Sequence, residues 1–115
     1  MELATERRGA ALVVRVEADR IDAAVAIRFK EEMRAVLAGA GTPVILDLGR
    51  VGFLDSSGLG AVVAVMKLLG PERPLELAAL TPPVEKVFRL TRMDRIFTIH
   101  PEVPPAGDGA VAGRA

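Results

Sequence analysis

The residues of this chain best suited to chemistry stand together at Asp55-Ser56-Ser57-Gly58. They lie between an apolar run, Val44 to Leu48, and a second run that begins at Leu59. The first reads as a strand buried on both faces and the second as a helix. A serine at such a helix start lies where backbone N–H groups have no partner within the helix. The local field favours an anion there, including a phosphate esterified to the serine itself. A covalent charge switch is the chemistry that suits this arrangement.

Rival chemistries find less material. Serine hydrolysis needs a base within hydrogen-bond reach of the nucleophile. The single histidine, His100, falls near the C-terminal end and reads as solvent-exposed. Asp-Ser-Ser-Gly also lacks the glycine that precedes the nucleophile in Gly-x-Ser-x-Gly turns. Gly58-Leu59-Gly60 does not form a phosphate loop, because no Gly-Lys-Ser/Thr follows and Lys67 comes too late. With no cysteine and one histidine, disulfides are excluded and transition-metal sites have little to be built from. The expectation is a non-enzymatic module that needs no cofactor and no metal.

Composition points the same way. A chain of 115 residues, 50% hydrophobic and 26% charged, is long enough for one folded domain with a single core. Basic and acidic residues balance at 15 each, Tyr and Trp are absent, and no basic stripe is interleaved with aromatics. Nucleic acid is therefore not an expected partner. A net charge of zero also makes the roughly two negative charges of a phosphate a large local change. Met1 to Arg8 has no signal-peptide core and no apolar run approaches a membrane span. The expected location is the cytoplasm, without membrane insertion, and nothing demands more than a monomer.

The elements that must position the serines follow from periodicity. Leu3 to Glu6 and Ala11 to Val16 read as a hairpin around Arg7-Arg8-Gly9. Asp22 is placed to cap a helix from Ala23 to about Ala38, with Val25, Phe29, Met33, Val36 and Leu37 on its apolar side and Gly39 and Gly41 ending it. Pro43 leads into the strand Val44 to Leu48. A helix from about Ser57 to Leu69 ends at Gly70-Pro71, and Pro74 to Ala79 reads as a strand. Thr81-Pro82-Pro83 opens a third helix carrying Val84, Val87 and Phe88. Arg95 to Ile99 is a last short strand or extended segment, and Arg89, Arg92 and Arg95 read as a salt-bridged face. Residues 101–115, rich in Pro, Gly and Ala, read as a disordered tail after a domain of residues 1–100. The order β-β-α-β-α-β-α-β predicts an α/β fold, with a small mixed sheet, an N-terminal hairpin strand and covering helices.

The helix after the serines is unusual. From Gly58 to Met66 it contains no charge. Leu59, Val62, Val63, Met66 and Leu69 can face the core, which leaves Gly58, Gly60, Ala61, Ala64, Val65 and Leu68 at other angles. The expectation is an exposed face of small residues that a partner's backbone can approach closely. Ser57 is expected to help cap the helix, leaving Ser56 free.

From Leu46-Asp47-Leu48 through Val51, Phe53-Leu54 and Asp55-Ser56-Ser57-Gly58-Leu59-Gly60, the chain resembles the STAS domain. That domain is shared by bacterial anti-sigma-factor antagonists and the cytoplasmic ends of sulphate transporters. Looser similarity runs from about Leu3 to Ile99 and includes Asp22 and Leu90-Thr91-Arg92-Met93. The resemblance implies an anti-sigma-factor antagonist that acts by partner switching. Its unphosphorylated form would bind an anti-sigma factor with serine kinase activity and release the sigma factor; a serine phosphatase would reverse the modification. Ser56 matches the phosphate acceptor, and Asp22 and Asp55 match acidic positions beside it. Ser57, Gly58, Gly60, Ala61 and Ala64 complete the expected partner-binding set. The run Glu17 to Asp22 departs from the more usual Gly-Glu-Leu-Asp, and the tail stands where many relatives carry another helix. The alternative implication is a STAS subunit of a membrane transporter or signalling assembly that works without phosphorylation.

Overall fold

The computed structural model describes residues 1–38 and 43–104. Strands β1 (Leu3–Arg8) and β2 (Ala11–Val16) pair antiparallel from Leu3↔Val16 to Arg8↔Ala11. Gly9 turns the chain between them at φ 60°, a conformation that glycine enters without a Cβ clash. Two short strands that periodicity did not reveal, β3 (Arg20–Ile21) and β5 (Phe53–Leu54), pair parallel in a small sheet of their own. The main sheet is completed by β4 (Val44–Asp47), β6 (Leu75–Ala78) and β7 (Ile99–His100), in the order β1-β2-β4-β6-β7. Every pairing beyond the hairpin is parallel, so the sheet is mixed.

Alternation along the strands assigns each side chain to a face. Val14, Val16, Val44, Leu46, Leu75 and Leu77 join one large cluster with Phe29 and Met33 of α1 (Ala23–Leu37), Val62 and Val65 of α2 (Ser56–Leu69), and Val84 and Phe88 of α3 (Pro82–Leu90). The opposite face holds a second, smaller cluster of Ala11, Val13, Ile45 and Ala78. Among the described residues no helical side chain joins it; Val103, from the segment after β7, packs there instead. The helices thus cover one side of the sheet, whereas β4 is buried from both sides over Val44–Leu46, as its apolar run predicts.

Several local expectations change. α2 starts at Ser56, one residue before the predicted start. Thr81 occupies the cap position of α3, but its hydroxyl donates to the Val51 carbonyl at 2.7 Å. Pro82 and Pro83 leave that first turn with two fewer N–H groups to cap. Arg95–Ile99 is not one extended segment: a 3-10 turn, Met93–Arg95, precedes β7. The arginines around it form one ion pair among the described residues, Arg89 with Glu85 at 4.0 Å. His100 is not solvent-exposed; its Nε2 lies 2.7 Å from Glu76 Oε1 on the neighbouring strand, both side chains largely covered. Gly39, Gly41 and residues 105–115 lie outside the described residues. The part of the expected tail that is described includes the Pro104 carbonyl, which accepts from Arg8 Nη1 at 3.1 Å.

Candidate functional site

The serines owe their position to the pairing of β3 with β5. Arg20 lies beside Phe53 and Ile21 beside Leu54. Each strand runs one extended residue further, to Asp22 and Asp55, and each aspartate opens a helix. Two helix N-termini are thereby brought side by side by two pairs of residues.

The carboxylates hold this junction. Asp22 Oδ1 accepts the Ala24 N–H at 3.1 Å, the N-cap predicted for α1. Asp55 does more. Its Oδ1 accepts the Gly58 N–H at 2.9 Å and caps α2, while its Oδ2 accepts the Ala23 N–H of α1 at 3.3 Å. The Asp55 amide in turn donates to the Ile21 carbonyl at 3.4 Å. One side chain therefore serves the orphan donors of both helices.

Capping by Asp55 corrects the expectation that Ser57 shares this duty, and it has a consequence for Ser56. Both serines are exposed, and Ser56 is the first helical residue. Among the described residues no side-chain hydrogen bond engages either hydroxyl. Ser56 presents a free Oγ to solvent at the positive end of a helix of 14 residues.

Two members of the expected partner-binding set are not available. Gly58 is buried because α2 presses against β3 here, and a Cβ at this position would run into the Ile21 carbonyl. Ala61 and Val65 are buried, at 2% and 1% exposure, because α2 packs on α1 as well as on the sheet. A helix enclosed by two neighbours needs apolar residues over two faces, which explains the missing charges without a partner. The open strip of α2 is narrower than predicted: Ser56, Ser57, Gly60, Lys67 and Leu68 are exposed, and Ala64 is half-buried.

Sequence reasoning passed over Arg20 and Phe53. Phe53 is 45% exposed, with the Arg20 guanidinium 4.9 Å from its ring centre. Arg20 Nε also lies 3.4 Å from Asp22 Oδ2. A cation, an aromatic ring and a carboxylate thus adjoin the serine corner. The signal was present in the repeated pattern Ile21-Asp22-Ala23-Ala24 and Leu54-Asp55-Ser56-Ser57, apolar-Asp-small-small.

Further ties fix the loops that deliver β3 and β5. Gly52 N–H donates to the Asp19 carbonyl at 2.8 Å. Glu17, at the end of the hairpin, pairs with Arg15 at 2.7 Å and with Arg50 at 2.8 Å. The hydrogen bond from Arg15 holds the Glu17 carboxyl below the usual carboxylate range, and the same contact raises the pKa of Arg15. Among the described residues no group of three or more His, Cys, Asp and Glu side chains could hold a metal ion. No described helix is long and apolar enough to cross a membrane.

The chain is similar to known proteins along most of its length. The sequence profile of the STAS domain matches residues 2–106. The crystal structure of an anti-sigma factor antagonist from Mycobacterium paratuberculosis is similar at a TM-score of 0.82 and 28% identity, over 99% of this chain and 94% of that one. A STAS domain protein from Planctomyces limnophilus shares the fold at a TM-score of 0.82 and 17% identity, over 98% of each chain. The Bacillus cell fate determinant SpoIIAA, in its phosphorylated form, shares it at a TM-score of 0.61 and 22% identity, again over 98% of each.

Proposed function

The chain belongs to the STAS domain family, and on that premise we propose that it is an anti-sigma-factor antagonist, a binding module switched by phosphorylation of Ser56. The observation that carries this reading is the division of labour at the start of α2. Asp55 takes the cap, so the Ser56 hydroxyl is exposed and uncommitted.

In this reading the unphosphorylated protein binds an anti-sigma factor that is also a serine kinase, and the sigma factor is released. The partner brings ATP. Ser56 Oγ attacks the γ-phosphorus; the Oγ–P bond forms, the bond to the β-phosphate oxygen breaks, ADP leaves and the serine proton is lost to a base of the kinase. A serine phosphatase returns the hydroxyl by hydrolysis.

The phosphate needs no internal rearrangement to be accommodated. First-turn N–H groups of α2 favour the dianion, and Asp55 is already engaged by two amides. What changes is the outer surface. A hydrated dianion beside Asp22, Asp55 and Phe53 would oppose the packing of an apolar or acidic partner. A penalty of about 3–4 kcal/mol lowers affinity several-hundredfold, enough for a switch.

The test is retention of partners from the native cell extract on wild type, Ser56→Ala and Ser56→Glu. We expect wild type and Ser56→Ala to retain an ATP-binding kinase that Ser56→Glu loses. Equal retention by all three would remove the switch and leave a STAS subunit that recognises its partner without phosphorylation.

A further inference from the structure

Between the far ends of α1 and α2 the charged side chains that line the surface are all basic, in a protein whose formal net charge is zero. Two adjoining depressions share Arg34 and Leu68 and so form one groove between the helices. Lys30 and Arg34 line its α1 side, Lys67 its α2 side, and Arg73 closes its end. The floor is apolar, with Ala64 half-buried and Leu68 exposed at 47%. Among the described residues no acidic side chain lines either depression.

Among the described residues no carboxylate answers these cations. Among the described residues none of the four forms an ion pair, although six pairs form elsewhere. Arg73 is partly engaged, donating to the Leu37 carbonyl at the C-terminal end of α1 at 3.5 Å. Glu31, Glu32 and Glu72 are close in sequence, but none of them lines either depression and none pairs with these four cations. The C-terminal residues 105–115 contain one Asp and one Arg, which gives them no acidic character to fill the groove.

We propose that this groove docks an acidic, helical segment of a second partner protein, independently of Ser56. Lys30 and Arg34 stand one turn apart, about 6 Å along the axis, the spacing of carboxylates at i and i+4 on a facing helix. Apolar residues between those carboxylates would cover Ala64 and Leu68, the arrangement of helix-in-groove recognition. Nucleic acid fits less well, because phosphates would leave Leu68 in water and the chain has no Tyr or Trp on which bases could stack. Leu68 lies twelve residues along α2 from Ser56, about 18 Å, well beyond a Debye length at physiological salt. Both sites can then be occupied together.

The test uses the full chain, isotopically labelled, titrated with a synthetic helix-forming peptide of about 16 residues. The peptide carries Glu at i and i+4 with Leu between; controls are its Glu→Lys counterpart, phosphatidylglycerol vesicles and a single-stranded oligodeoxynucleotide. We expect saturable, salt-sensitive amide shifts at Lys30, Arg34, Ala64, Lys67 and Leu68 with the acidic peptide only. Lys30→Glu combined with Arg34→Glu, and separately the exposed Lys67→Glu, should each weaken binding about tenfold. Ser56→Glu should leave affinity unchanged within about twofold, so groove binding can fail or hold whatever becomes of the phosphorylation switch. Absence of saturable shifts up to about 1 mM, shifts mapping elsewhere, an equal response to the Lys peptide, or tighter binding of vesicles or oligonucleotide would each overturn the proposal.

Discussion

The first turns of α1 and α2 leave the parallel strands β3 and β5 through an extended aspartate, yet the residues beyond that aspartate differ. After Asp22 come Ala23, Ala24 and Val25; after Asp55 come Ser56, Ser57 and Gly58. In α1 the aspartate caps its own helix and the next two side chains have no chemistry to offer. In α2 the aspartate caps its own helix and also accepts from the other, the next two residues carry hydroxyls, and the third must be glycine to pass the Ile21 carbonyl. One local device thus gives a plain helix start and a start suited to modification. The difference shows that a serine in the first helical turn keeps its hydroxyl free when the preceding aspartate takes the cap.

Gly58→Ala attacks the contrast where it is greatest. The added Cβ meets backbone and not a flexible side chain, so we expect a loss of about 3 kcal/mol in urea unfolding. Val25→Ala, at the matching position of α1, should cost only about 1 kcal/mol. The two aspartates come next. Asp55→Ala leaves orphan donors on two helices and should cost about 2 kcal/mol, against about 1 kcal/mol for Asp22→Ala. Equal losses in denaturant titrations would show that the Asp55 bond to Ala23 contributes nothing.

A smaller effect is expected between β3 and β5. Arg20 over Phe53 should show a coupling of about 0.5–1 kcal/mol in a double-mutant cycle with Arg20→Ala and Phe53→Ala. The smallest change in stability falls at the serine itself. Ser56→Ala should shift unfolding by less than about 0.5 kcal/mol, and under the proposed switch it should abolish phosphate incorporation by a cognate serine kinase, as measured by intact mass. Ala23→Ser should leave incorporation at one phosphate per chain. A second phosphate would mean that the α1 start is as accessible to the kinase as that of α2.

Much of the frame was legible because it rests on periods long enough to count. Fifteen residues of α1 show helical spacing of Phe29, Met33 and Leu37, and all three are buried. The apolar run Val44–Leu46 is buried from both sides. Two-residue strands have no period, so β3 and β5 escaped notice although they build the site. The charge-free α2 suggested a broad partner surface, but burial against α1 explains most of it; hydrophobicity alone does not distinguish a neighbour in the same chain from one outside. His100 and Glu76 are separated by 24 residues, and only the register of β6 against β7 brings them together.

Sequence by itself determined the order of the main-sheet strands and the three helices, the Asp22 cap, the exposed serine at the second helix and the family to which the motif belongs. These are local properties, set by side-chain type and by spacing within a turn or a strand. Tertiary structure alone decided that Asp55 would bridge both helix starts, that Gly58 and Ala61 would be enclosed, and that Arg20 would lie over Phe53. Each depends on two segments about thirty residues apart meeting in one register, and that register is settled by the packing of the whole core.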